Sequence, residues 1–270
     1  MRGGNEFWDF RSFNPPISMN NWANEYAFES ESRADTLVVR NTYLDVPEDW
    51  LGGQFIAEAE YLKELNPDAY KHEYLGEAIG TGGAVFNNVE DLDMEMPLEG
   101  TDIPLWQTFD NIYCGIDWGF ATDPFHFSKM HYDSTRRILY IFREYRTNYT
   151  RNEIVWATIN KELKLVSETE LITADSAEPK SISDFKAFGA FIRPAEKGND
   201  SVRYGIKWLQ GLTKIYIDRR TCPYTYKEFV QYEYETDKDG NWISAYPDKD
   251  NHAVDSVRYS LERFYKRKGN

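Results

Sequence analysis

Three acidic clusters carry the chemistry this sequence could do. The first is Asp117, in Tyr113-Cys114-Gly115-Ile116-Asp117-Trp118-Gly119, where an apolar strand ends on a carboxylate and breaks at a glycine. The second is Asp175, in Thr173-Ala174-Asp175-Ser176-Ala177-Glu178-Pro179, again a strand end followed by a helix start. The third is His252 and Asp255, in His252-Ala253-Val254-Asp255-Ser256-Val257-Arg258-Tyr259, three residues apart and therefore on one helix face. Each cluster alone has a plainer reading: a turn cap, a helix N-cap and a solvated His–Asp pair. Taken together, three carboxylates and one imidazole suit a hard divalent cation, Mg²⁺ or Mn²⁺, over zinc, which would want more Cys or His. Two such ions about 4 Å apart activate a water and stabilise the leaving oxygen in phosphodiester hydrolysis. Glu178 is a weaker candidate for the rim of such a site.

The elements that must position these residues follow from the apolar pattern. Strands are expected at 112–117, 126–131 and 137–144, then at 171–175, 190–193 and 214–218. Helices are expected from Asn152 (apolar at Ile154, Val155, Ile159 and Leu163), from Lys180, from Ser201 and over Tyr224 to Tyr234. Asp239-Gly240 marks a hairpin turn. A last helix from about Asn251 to Lys266 buries Val254, Val257, Leu261 and Phe264, which sets His252 and Asp255 beside the core. The order βββαβαβαβα implies an α/β fold, a mixed sheet with helices on its faces.

The first hundred residues read differently. They carry 6 Lys+Arg against 20 Asp+Glu, whereas residues 101–270 carry 25 of each, so the formal net charge of -14 belongs to the N-terminal third. The total argues against a simple nucleic-acid binder, but the neutral remainder does not. Strands are expected at Phe7–Phe13 and Asp35–Arg40, and helices at Asn21–Tyr26, Ile56–Leu65 and Tyr70–Leu75. The acidic run from Glu90 to Asp102 reads as a linker, with a domain boundary near residue 100. The opening Met1-Arg2-Gly3-Gly4 reads as cut from something longer. There is no G-x-x-x-x-G-K-[ST] loop, and Thr81-Gly82-Gly83 lacks the lysine, so ATPase activity is not expected of this chain alone. The cysteines Cys114 and Cys222 make neither a disulfide framework nor a zinc site. No signal peptide or membrane-spanning run is present, which points to a reducing, cytoplasmic setting.

These motifs, in this order, resemble the large terminase subunit of tailed bacteriophages. The resemblance implies an RNase H-like nuclease domain over 100–270, in which Asp117, Asp175 and the His252/Asp255 pair hold the metal, as two ions. It implies that residues 1–99 are the C-terminal remnant of the ATPase domain and a linker, Phe10-Arg11-Ser12-Phe13-Asn14-Pro15-Pro16 being its coupling segment. The implied activity is a metal-dependent endonuclease that cleaves concatemeric phage DNA during genome packaging. The implied partners are double-stranded DNA, the small terminase subunit, the portal protein and the ATPase portion of the large subunit. Lys197-Gly198 with Ser201 and Gly205-Ile206 resembles a further family segment, to which no role is assigned. Two alternatives stay open: another RNase H-like nuclease such as a junction resolvase, and a docking module for the portal or the ATPase half. If the acidic third weakens DNA binding, removing residues 1–100 speeds cutting.

Overall fold

The computed structural model describes residues 8–16, 21–31, 33–65, 67–78, 83–198, 200–236, 243 and 245–266. The chain divides into two compact units, Met1–Gly83 and Ala84–Asn270. In the first unit, helices α1 (Trp22–Glu31), α2 (Gly53–Leu65) and α3 (Pro67–Leu75) are joined by irregular chain and two 3₁₀ turns. The rings of Tyr43, Phe55, Tyr70 and Tyr74 pack edge-on or stacked where α2 meets α3, and the Tyr43 and Tyr70 hydroxyls are 2.8 Å apart. The first 3₁₀ turn starts on a capping box: Thr42 Oγ1 accepts the Leu44 N–H, and Asp45 Oδ2 accepts the Thr42 N–H at 2.7 Å. The two strands expected here do not form. Trp8–Phe13 and Thr36–Arg40 are irregular, and Trp8, Phe10, Leu37 and Val39 are exposed. A strand-like alternation needs a partner strand, and this unit offers none among its described residues.

The second unit is a seven-stranded sheet in the order β1-β7-β4-β3-β2-β5-β6. The strands are β1 (Val89–Asp91), β2 (Ile112–Asp117), β3 (Phe125–Asp133), β4 (Ile138–Thr147), β5 (Ile172–Ala174), β6 (Ile192–Pro194) and β7 (Lys214–Ile217). β3 is antiparallel to both neighbours and every other pairing is parallel, so six strands end on the same side of the sheet. The helices are α4 (Asn152–Ala157), α5 (Pro179–Ala187), α6 (Ser201–Gln210), α7 (Pro223–Gln231) and α8 (His252–Tyr265). One core joins α4 and α5 to β2, β3 and β5 through Ile116, Phe127, Trp156 and Phe185. The other joins α6, α7 and α8 to β3, β4 and β7 through Met130, Ile141, Leu209, Ile215, Phe229 and Val257. α4 runs on into a π turn (Thr158–Glu162). Val155, Trp156 and Ile159 point inward, while Ile154, before the turn, and Leu163, after it, are exposed. The hairpin expected at Asp239-Gly240 lies outside the described residues. Among the described residues no helix is long and apolar enough to cross a membrane.

The boundary expected near residue 100 and the linker expected over 90–102 are both corrected by β1. Val89–Asp91 pairs in parallel with β7, Val85 and Phe86 are core residues, and Phe86 stacks on Phe229 at 4.9 Å. Met94 is fully buried, and its N–H donates to Asp218 Oδ2 at 2.9 Å. A three-residue strand inside an acidic run carries too little periodicity to be read from sequence. The consequence is testable by truncation. A protein beginning at Ala84 is expected to melt cooperatively. One beginning at Thr101 loses the burial of Val85, Phe86 and Met94 and should be less stable by about 5 kcal/mol or more in denaturant unfolding.

Candidate active site

β2 and β5 set the first two carboxylates side by side. Ile116 is in register with Ala174, and the Asp175 N–H continues the ladder by donating to the Ile116 carbonyl at 3.0 Å. Asp117 and Asp175 thus stand at the carboxyl ends of adjacent parallel strands, where open α/β sheets place their sites. Trp118 Nε1 donates to the Asp175 carbonyl at 2.9 Å and straps the two strand ends together. Gly119 lets the chain fold back after Asp117: a Cβ there would lie 2.3 Å from the Asp123 carbonyl oxygen.

α8 brings the third cluster in from above the sheet. It lies across β2, β3 and β5, and its backbone comes so close that a Cβ on Gly115 would fall 1.9 Å from the Ser256 carbonyl oxygen. Ser256 Oγ is 2.7 Å from Ser128 Oγ on β3, a buried hydroxyl pair that fixes the helix along its axis. His126 and Thr225 extend this network, with His126 Nε2 at 3.1 Å from Ser128 Oγ and 3.2 Å from Thr225 Oγ1. His126 is fully buried, and burial, with Arg146 nearby, holds its pKa well below the ordinary value, so the ring is neutral.

Two buried glutamates, invisible as such in the sequence, hold helix starts here. Glu228 Oε2 accepts the Ala253 N–H of α8 at 2.5 Å, and its Oε1 accepts from Arg146 Nη1 at 2.5 Å. Glu144 accepts the N–H groups of Tyr224 and Thr225 at the start of α7, at 2.9 and 2.8 Å, and the Thr225 hydroxyl at 2.7 Å. Burial pushes the Glu144 carboxyl up to about 7 against those donors, and Glu228 adds to the rise. A carboxyl raised on folding contributes stability that is complete below its unfolded pKa and fades as pH rises through the folded value. The melting temperature of the protein is therefore expected to fall between pH 5 and 8 by more than that of Glu144→Gln. The difference corresponds to roughly 3 kcal/mol if Glu144 shifts as its environment dictates.

His252, Asp255, Asp117 and Asp175 all line one cleft of about 510 Å³. His252 Nδ1 is 2.8 Å from Asp117 Oδ2. Burial raises the Asp117 carboxyl to about 6. The hydrogen bond from His252 opposes the rise, and the charges of Asp255 and Asp175 add to it. Burial alone would lower His252, but its bond and attraction to Asp117, with Glu228, leave the ring raised. Asp255 Oδ1 accepts from Arg258 Nε and Nη2 at 3.1 and 2.8 Å, and Asp255 Oδ2 accepts from the Tyr259 hydroxyl at 3.3 Å. Asp175 is paired with Lys197, whose ammonium lies 4.9 Å from the centre of the Tyr259 ring.

Asp117, Asp175 and Asp255 thus each have a basic partner in the chain itself: His252, Lys197 and Arg258. Among the described residues, no group of three His, Cys, Asp or Glu side chains closes on a common point as they stand. The donors nevertheless face one cleft. Their chemistry, carboxylate oxygen with one imidazole, suits a hard divalent cation, and Asp117 is raised first by burial and then by the charges of Asp255 and Asp175. Glu178 is exposed at the start of α5 and does not line the cleft. Sequence reasoning had no role for Arg146, Asp123 or Arg258, all of which line it, and saw Lys197 without assigning it one. Arg258, three residues after Asp255 on the same helix, was the one readable partner.

A mixed sheet with one reversed strand, helices on both faces and acidic residues at the ends of adjacent strands defines the RNase H-like class of α/β folds. The chain belongs to the phage terminase large-subunit family. Residues 117–263 match the family described as Terminase RNAseH like domain, and residues 8–77 match the one described as Phage terminase large subunit. The large terminase subunit of Bacillus phage SPP1 is 39% identical over 96% of this chain. The PBSX phage terminase large subunit of Bacillus subtilis is 25% identical over 92% of it. The chain spans 60% of the length of each of these relatives. The crystal structure of the SPP1 large terminase (g2p) nuclease domain with bound Mn superimposes with a TM-score of 0.59 at 34% identity. That match covers 66% of this chain and 98% of the SPP1 domain.

Proposed function

We propose that this chain is a metal-dependent endonuclease that cleaves concatemeric phage DNA during genome packaging. The observation that carries the reading is the gathering of Asp117, Asp175, Asp255 and His252 from three distant stretches of sequence into one cleft at the sheet's carboxyl edge. The Mn bound to the similar SPP1 nuclease domain supports divalent metal as the cofactor. Asp117, Asp175 and Asp255 would hold Mg²⁺ or Mn²⁺, as two ions, with His252 as a further ligand or a water-positioning group. Bound there, the ions supply Lewis acidity and a water acidic enough to attack phosphorus at neutral pH.

The chain's own residues do the rest. β2 and β5 hold two carboxylates at fixed separation, and Gly115 lets α8 press the other donors against them. The His252 bond to Asp117 orients both side chains. Among the described residues no element resembles a base-reading motif, so the cut has little sequence preference of its own and is targeted by partners: the small terminase subunit, the portal protein and the ATPase portion of the large subunit. In this reading the first unit is the C-terminal part of that ATPase region, which its match to the large-subunit family supports. The protein acts on double-stranded DNA in the host cell cytoplasm.

The test is cleavage of supercoiled plasmid in Mn²⁺, Mg²⁺ or EDTA. Nicked and linear products with either ion and none in EDTA are the expected result. No cutting with either ion would leave the chain a docking module for the rest of the motor.

A further inference from the structure

Arg146 is the cleft residue that the metal reading leaves without a task. It stands near the carboxyl end of β4 and lines the cleft with Asp117, Asp175 and Asp255. It does not balance those carboxylates. Its Nη1 donates to Glu228 Oε1 at 2.5 Å, and Glu228 is a buried side chain of α7, only 7% exposed. The Tyr224 ring lies 5.1 Å from the guanidinium carbon. A buried carboxylate at one end and an aromatic face alongside hold the fork in one orientation. Its Nε and Nη2 take no hydrogen bond among the described residues, and the side chain is 20% exposed.

The other cations of the cleft differ. Lys197 is paired with Asp175, and Arg258 with Asp255 and the Ser201 carbonyl. Lys249 stands on an exposed bend. Arg146 is thus a pre-oriented guanidinium with donors left over, set in the wall of a cleft where Lys197 and Arg258 are already paired with carboxylates. Such a fork is built to receive an anion with paired oxygens, and in a DNA-cutting cleft that anion is a backbone phosphate.

We infer that Arg146 binds a non-bridging phosphate oxygen of the DNA in the cleft, and that Glu228 is the positioning residue that aims it. The inference rests on the nuclease reading above. It also ties the grip on DNA to the metal-binding face, because the same Glu228 carboxylate accepts the N–H of Ala253, the residue after His252. One buried carboxylate thereby fixes the substrate contact and the start of α8 relative to each other.

The experiment measures binding rather than cutting: fluorescence anisotropy of a short labelled DNA duplex in EDTA over a salt series. Arg146→Met alone would strand a buried charge at Glu228, so the informative protein is Arg146→Met/Glu228→Gln, which keeps an acceptor for the Ala253 N–H. Its plot of log Kd against log salt is expected to be less steep than wild type by about 0.9, the signature of one lost phosphate contact. Its affinity at low salt should be about tenfold weaker, as for a charged hydrogen bond removed. Mn²⁺ binding by calorimetry and the melting temperature should stay near wild type. Arg146→Lys keeps the charge and should keep the wild-type slope with weaker binding. A double variant with the wild-type slope and affinity would overturn the inference while leaving the nuclease reading intact. A wild-type protein that neither binds nor cuts DNA would overturn both.

Discussion

Asp117→Asn is expected to abolish plasmid cleavage, lowering the rate on the order of 10³-fold or more, because in the proposed site it removes a direct metal donor rather than an outer support. The fold should survive. Asn keeps an oxygen that accepts from His252 Nδ1, which lies 2.8 Å from the carboxylate in the native protein. It also removes a charge that burial disfavours, since the Asp117 carboxyl is raised to about 6 by burial and by Asp255 and Asp175. The melting temperature without metal should therefore match or exceed that of the native chain. Cleavage in Mn²⁺ or Mg²⁺, followed on the same gel as the native protein, is the measurement. Metal-dependent cutting that persists in the variant would sink the assignment of Asp117. Loss of cutting together with a collapsed melting transition would show only that the residue is structural.

Gly115→Val is expected to damage both stability and activity. The added Cβ would sit 1.9 Å from the Ser256 carbonyl oxygen and 2.7 Å from its carbon, both backbone atoms of α8 that have no rotamer to escape into. The helix must lift off β2 or the strand must bend, at about 3 kcal/mol or more for so severe an overpacking. Activity suffers separately. His252 and Asp255 ride on α8 while Asp117 rides on β2, so a helix displaced by even about 1 Å misaligns the donors and costs on the order of 10²-fold in rate. Gly53→Ala, whose new methyl meets nothing within 4 Å, is the matched control and should leave both quantities unchanged. Chemical denaturation and plasmid cleavage of the two variants check the pair. A Gly115→Val protein as stable and active as wild type would show that α8 does not press on β2 at this point.

The four residues that the proposal makes metal donors, and that share one cleft, were readable in the sequence because each sits at a boundary between regular elements. Asp117 and Asp175 follow runs of apolar residues that could only be strands, and His252 and Asp255 open a helix with a clear apolar stripe. The sheet was equally readable wherever a strand kept its alternation, as in Ile138 to Phe142. What was hidden depends on partners far away in the chain. Val89–Asp91 is a strand only because β7 offers it an edge. Trp8–Phe13 has the alternation of a strand and, among the described residues, pairs with no other strand. Glu144 and Glu228 look like any solvated glutamates, and their burial follows from Thr225, Arg146 and the starts of two helices lying next to them. Arg146 could not be told from the other basic residues of its strand, because what distinguishes it is Glu228, 82 positions away.

α8 is covered on both sides, by β2, β3 and β5 on one and by α6 and α7 on the other, and even Ser256, Arg258, Ser260 and Glu262 are buried. A segment enclosed in this way opens only when the unit around it opens, so its amide hydrogens belong with the slowest to exchange. His252 and Asp255, which it carries, therefore have no half-melted state from which they could be recruited on demand. If the proposed nuclease reading holds, the centre is either whole or lost with the fold, and control of cutting falls to admitting or refusing the DNA.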